Sequence, residues 1–238
     1  MKKYLLTMLA VLVGSNMWAQ SFSTEDGDNM LVITTDGDMT AQTNADKVLA
    51  QMKDGKYGYS KVIVNGNGTI SEAFLRAILY KNESTADTLL LNLDLTGITL
   101  KGWNSSSFKA SETDTWMYRN LYNISELGLP KAEDNKVPNE AFKDMWNGKL
   151  HAIVIPEGTT EIGKSAFNGI ASLSSVSFPK SLRKVDDCAF LYCMIENLKL
   201  NQGLEFIGNS AFGLRTELVE EVLDIPASVK YIGPCAFN

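Results

Sequence analysis

The chain is poor in the residues that most often perform chemistry. One histidine, His151, and three cysteines are all that 238 residues contain. A single histidine rules out metal sites built on several imidazoles. Any Ser-His-Asp or Cys-His arrangement would have to use His151, and no G-x-S-x-G elbow accompanies it. It stands just before a predicted strand, so the sequence assigns it to surface or packing. An odd cysteine count does not read as a disulfide framework. Positive charge is also scarce, with 22 basic residues against 28 acidic and a net charge of −6. That balance argues against nucleic acid, whose binding depends on neutralising phosphates. Beyond the N-terminus no apolar run approaches the roughly 18 residues needed to cross a bilayer.

What is present begins with an export signal. "MKKY" supplies two positive charges, Leu5 to Gly14 is apolar, and "SNMWA" ends on the small residue Ala19. This is the pattern of a secretory signal peptide over residues 1–19, with cleavage after Ala19 and Gln20 as the new N-terminus. No cysteine lies near the cut, which argues against a lipid-anchored start. Cleavage removes Lys2 and Lys3, leaving 20 basic residues against 28 acidic and a mature charge of −8.

The last third of the chain repeats. "IVIPEGTTEIGKSAF", "VSFPKSLRKVDDCAF", "LKLNQGLEFIGNSAF" and "LDIPASVKYIGPCAF" align without gaps. Each closing Phe lies eleven residues after the Pro or its substitute: Pro156 to Phe167, Pro179 to Phe190, Asn201 to Phe212, Pro226 to Phe237. A period of about 20 to 30 residues signals a solenoid. Ile153 and Ile155, Val176 and Phe178, Leu198 and Leu200, Leu223 and Ile225 alternate with exposed positions, the period of a strand with one buried face. Pro or Asn then ends the strand. Gly163, Asp186, Gly208 and Gly233 form one turn column, read as a place for positive φ. Ala166, Ala189, Ala211 and Ala236 permit close approach between coils. Phe167, Phe190, Phe212 and Phe237 would stack as a buried spine, because one repeat cannot bury its own apolar face and needs its neighbour's.

This pattern resembles the BspA-like leucine-rich repeat family, whose units carry an I-P-x-x-V-x-x-I-G-x-x-A-F core. "IPASVKYIGPCAF" matches at every fixed position, and "IPEGTTEIGKSAF" departs only by Thr159 in the Val slot. The family's Cys three residues after the Phe appears once, as Cys193. The resemblance implies a leucine-rich-repeat-like solenoid with a parallel β-sheet on one face. It also implies a bacterial surface or secreted protein, attached to host matrix proteins or to other cells.

Upstream the coils are looser. "ISELGLP", "LNLDLTG", "VIVNG" and "MLVITTDG" offer strand pairs, and from Ile33 the inner strand residue recurs after 31, 31, 34, 26, 23, 22 and 25 residues. The early coils are long enough for helices at "NADKVLAQMKD" and "SEAFLRAILYKN", whereas later coils close with short irregular turns. The predicted organisation is a signal peptide over 1–19, long irregular repeats over 20–149 with an insertion at 97–123, and regular repeats over 150–238. The closing Phe237-Asn238 carries no polar cap, so a continuation of the chain or a covering partner is expected there.

Several motifs invite chemistry. "VIVNGNGTISEAFLRAIL" looks like a strand, a glycine-rich turn and a helix. Gly66 and Gly68 fit a dinucleotide fingerprint, but Ser71 stands where its third glycine belongs, so a coil corner is the simpler reading. "DGD" at 26–28 and 36–38 lacks calcium-loop spacing and reads as turns. Cys188 and Cys235 share one column two coils apart, about 9–10 Å at strand spacing. That is beyond disulfide reach; small, buried, free thiols are expected. The insertion carries Trp103, Trp116, Tyr118 and Tyr122. Exposed, they would form a sugar-stacking platform, and Trp103 and Trp116 are its candidate residues. Folded inward, they would cover the long coils.

The open face of the sheet is left as the main candidate. It should present Val154, Ser177, Lys199 and Asp224, flanked by Ala152, Ser175, Asn197 and Val222. These side chains are mostly small or polar and hold no catalytic set, no metal site and no cofactor site. The expected function is an exported, non-enzymatic interaction or adhesion module that binds an extracellular protein on this face. The alternative is a glycan-directed protein, lectin-like or hydrolytic, that uses the aromatics of 97–123.

Overall fold

The computed structural model describes residues 20–25, 30–35, 61–71, 91–103, 124–145, 149–196, 198–213 and 223–238. The signal peptide, both proposed helices, both "DGD" turns, Trp116, Tyr118 and Tyr122 lie outside these residues. The described chain contains strands, turns and bends, stacked into two sheets that share one apolar interior.

The first sheet is built from β1 (Gln20–Glu25), β2 (Met30–Thr35), β3 (Lys61–Ile70), β4 (Leu91–Leu100), β5 (Ile124–Gly128), β8 (Ala152–Val154) and β10 (Ser175–Ser177), side by side in that order. β6 (Lys131–Ala132) pairs with the far end of β4. Every pairing is parallel except β1 with β2. Parallel strands follow from successive coils passing the same side in the same direction, and the registers match the inner pairs read from the sequence: Leu31 beside Val62, Leu93 beside Leu127, Leu127 beside Ile153, Ile153 beside Val176.

The glycine-rich stretch after Val64 does not end its strand. β3 continues through Asn65, Gly66, Asn67 and Gly68 to Ile70, with shifts of register against β4 on either side of Asn65. Gly66 takes φ 126, which its missing Cβ allows. The corner expected here is therefore a bulge that bends a continuous strand. Gly97 sits beside it because a Cβ there would lie 2.7 Å from the Cβ of Asn65.

The second sheet was not expected. β7 (Lys136–Val137), β9 (Glu161–Ile162), β11 (Lys184–Val185), β12 (Phe206–Ile207) and β13 (Tyr231–Ile232) run parallel through five successive coils. Each of these strands ends five residues before the Phe of its coil, inside the segment of constant spacing, so its register never drifts. The first sheet lies outside that segment. Eight residues separate Phe190 from Leu198, nine separate Phe167 from Val176, and eleven separate Phe212 from Leu223. The first sheet ends at β10, since Leu198–Leu200 and Leu223–Ile225 form no strand; length alone does not decide this, because Phe142 and Ile153 of β8 are also eleven residues apart. Among the described residues, a backbone bond from Glu196 N–H to the Ser174 carbonyl at 3.0 Å carries the ladder one step further.

The aromatic spine forms as expected and extends one coil upstream. Phe142, Phe167, Phe190, Phe212 and Phe237 stack with ring centroids 5.4, 5.0, 5.4 and 5.6 Å apart. The alanines beside them, 166, 189, 211 and 236, are buried.

A third row of hydrogen bonds runs along the Phe turns. Glu140, Phe142 and Asp144 donate to the carbonyls of Lys164, Ala166 and Asn168, at 2.8, 2.7 and 2.7 Å. Ser165, Phe167 and Gly169 repeat this one coil on, as do Cys188, Phe190 and Tyr192. The donors on either side of each Phe are left-handed and the Phe itself is not: φ is 56 at Glu140 and 63 at Asp144, 54 at Ser165 and 87 at Gly169, 56 at Cys188 and 64 at Tyr192, with 49 at Ser210 and 55 at Cys235 in the next two coils. Positive φ thus belongs to the Ser/Cys column. The glycine column was assigned it, yet Gly163, Gly208 and Gly233 are not left-handed. They are small because the preceding coil lies against them: a Cβ would come within 2.7 Å of Asn139 N, 2.4 Å of Asp187 N and 2.6 Å of Asn209 N. All three cysteines are free thiols, but only Cys193 is buried; Cys188 is half-buried and Cys235 exposed, contrary to the expectation for their column.

Candidate functional site

The registers of the first sheet fix which side chains share its open face. Because neighbours alternate sides along a strand, one outward row runs Val32, Ile63, Asp94, Gly128, Val154, Ser177, and a second runs Lys61, Asn92, Glu126, Ala152, Ser175. Val154 and Ser177 stand side by side on β8 and β10. Val154 is 43% exposed and Ser177 is also exposed, so the first two predicted face residues are brought together. Lys199 and Asp224 are exposed but lie past the last strand, and nothing pairs them with Ser177. Among the flanking residues Ala152 is half-buried and Ser175 exposed, while Asn197 and Val222 fall outside the described residues.

The two halves of this face differ. On β4 and β5 the polar groups are tied down. Asp94 Oδ1 accepts from Thr96 N–H at 3.0 Å and from the Thr96 hydroxyl at 2.7 Å, and Asn92 donates to Glu126. Gly128 is small for the same reason, since a Cβ there would come 2.7 Å from Asp94 Oδ1. On β8, β10 and beyond, the side chains of Ser177, Lys199 and Asp224 make no hydrogen bond or ion pair among the described residues. Here a small, open surface meets solvent.

The outward row of the second sheet, missed in the sequence, is the contrasting case. Lys136, Glu161, Lys184, Phe206 and Tyr231 stand in register. Glu161 bridges Lys136 and Lys184, at 3.1 Å each, and Lys184 also reaches Asp186 at 2.8 Å. Burial pulls the Lys184 ammonium down, but its bonds to Asp186 and Glu161 outweigh that and hold it above its usual range. The same ammonium lies 5.5 Å from the Phe206 ring centre, and Phe206 stacks on Tyr231 at 4.7 Å. These neighbours satisfy one another across coils. A two-residue strand shows too little alternation to be read from sequence, which is why the row went unseen.

The other candidates resolve simply. Trp103, one of the two aromatics of the glycan platform, is 8% exposed and packs edge-on against Phe142 at 6.3 Å, so its ring serves the interior. His151 is exposed, with Nδ1 3.1 Å from the Ser172 carbonyl, a turn contact. Cys193 is inert: burial pushes its thiol up to about 12. Among the described residues no group of three or more His, Cys, Asp or Glu is placed to hold a metal ion, and no helix is long and apolar enough to cross a membrane.

Residues 135–238 match the BspA-type leucine-rich repeat region in six copies. Among solved structures the chain is similar to a leucine-rich repeat protein of T. pallidum, at 30% identity over 48% of this chain and 53% of that one, with a TM-score of 0.43. It is also similar to a leucine-rich cell surface protein of Faecalibacterium prausnitzii, at 14% identity over 87% of this chain and 52% of that one, with a TM-score of 0.34. The chain spans about half the length of each. No curated protein matches.

Proposed function

We propose that the protein, whose residues 135–238 match the BspA-type leucine-rich repeat region, is an exported interaction module that binds a macromolecular partner, an extracellular protein, without turning it over. The partner docks on the open face at β8 and β10 and on the exposed Lys199 and Asp224 beyond them. The observation that carries this reading is the contrast between the two outward rows. The second sheet's row is closed by its own ion pairs and ring stacking. The C-terminal end of the first sheet and the coils beyond it offer exposed Val154, Ser177, Lys199 and Asp224, whose side chains have no polar partner among the described residues. Solenoids use extended sheet faces for partners too large for a pocket.

The test is a pull-down of the mature chain against a panel of matrix proteins and mucin glycans, with Lys199→Glu/Asp224→Lys as the paired variant. Capture of a matrix protein by the parent chain, lost in the variant at an unchanged melting temperature, is the expected result. Binding that survives the double reversal removes this face as the site. Retention of glycan in place of protein would move the partner to the other class.

A further inference from the structure

We propose that Gln20 is the first residue of the exported chain and that it closes on itself into a pyroglutamyl lactam, a modification site at the free end of the edge strand β1. The proposal rests on the export reading. Two separate observations meet at this residue. The leader pattern places the cut between Ala19 and Gln20. Gln20 is also the first described residue of β1, where it pairs with Thr35. β1 is the one antiparallel strand of its sheet and lies at its edge. A cut at this place leaves a chain that starts on the last strand of the sheet.

The chemistry needs no co-reactant. The free α-amine of Gln20 attacks the δ-carbon of its own side-chain amide, a new C–N bond closes a five-membered ring, and the Cδ–NH2 bond breaks to release ammonia. An α-amino group titrates near about 8, so a useful fraction is unprotonated at neutral pH. Attack within one residue has the advantage of proximity. The product exchanges a terminal ammonium for a neutral lactam.

The full chain with its leader is expressed in a bacterium, the exported form is collected, and its N-terminal peptide is weighed. A labelled synthetic peptide beginning Gln-Ser-Phe is added at lysis as a control for cyclisation during handling. The expected peptide starts at residue 20, is lighter than the linear form by one ammonia, resists aminopeptidase and is opened by pyroglutamyl peptidase. A Gln20→Ala chain should be exported equally and carry an open amine. A linear Gln20, or a lactam fraction no larger than that of the added peptide, overturns the proposal and leaves export standing. A first residue other than Gln20 overturns the proposal together with the placement of the cut, and failure to leave the cytoplasm overturns the export reading itself.

Discussion

An added methyl group at Gly208 would sit 2.4 Å from the backbone nitrogen of Asp187, and backbone cannot swing aside as a side chain can. Gly208→Ala should therefore cost about 1–3 kcal/mol in urea denaturation, the usual range for overpacking. Two residues later Ser210 holds φ 49, where a Cβ is a burden. Ser210→Gly should be neutral or gain up to about 1 kcal/mol as the left-handed penalty lifts. Equal losses at both positions would show that the two columns do not differ as described. Asp186 is the one side chain in the glycine column, and its carboxylate accepts from the Asp187 N–H and the Lys184 ammonium, both at 2.8 Å. The thiols make a second contrast. Cys193 is buried, donates to the Phe167 carbonyl at 3.1 Å, and its ordinary value of 9.0 is raised to about 12 by burial. The folded chain keeps that proton where the unfolded chain releases it, so the thiol's stabilising effect is complete below about 9 and fades as pH climbs toward 12. Cys193→Ala should lack this alkaline loss, and its stability relative to the parent should improve across that window. In native labelling Cys235 should react first and Cys193 last.

At the level of elements the spine dominates. Phe190 is fully buried, with Phe167 on one side and Phe212 on the other, and Phe178 meets it edge-on at 5.8 Å. Phe190→Ala should cost about 3–5 kcal/mol. Phe237 is only partly buried and stacks on Phe212, so Phe237→Ala should cost distinctly less. Paired melting curves check the order, and a Phe190 variant as stable as the parent would take that ring out of the core. These columns were legible because size and burial repeat at fixed spacing. The second sheet was not: its strands are two residues long, and alternation cannot be seen in two residues. The backbone reason for each small residue was equally hidden. Gly163 and Ser165 both look like turn residues in sequence, and only the neighbouring coil tells contact from left-handedness. The strands expected at 198–200 and 223–225 do not form although the apolar pattern persists there, so alternation alone does not make a strand.

The whole molecule is modular. If coils contribute through contacts with their neighbours, one can be removed whole. Deleting residues 157–179 joins Pro156 to Lys180 and keeps every column in register. The shortened chain should fold with the same circular-dichroism shape and a lower but still cooperative melt; an unfolded product would deny that the coils are interchangeable. The candidate face was legible to the same degree as the sheet that carries it. Val154 and Ser177 fall where alternation puts them. The separation of Lys199 and Asp224 from the last strand is announced by no residue pattern, since their alternation is the same as that of β8 and β10.

The third row of hydrogen bonds has a consequence for assembly. Along the Phe turns the amides of each coil point toward the coil that follows, and the carbonyls point back. The second sheet runs the other way: Gly163, Asp186, Gly208 and Gly233 donate back to Val137, Ile162, Val185 and Ile207. A further unit seating on the leading end must therefore offer oxygens to the Phe turns and hydrogens to the second sheet, and only a coil of the same handed pattern does both.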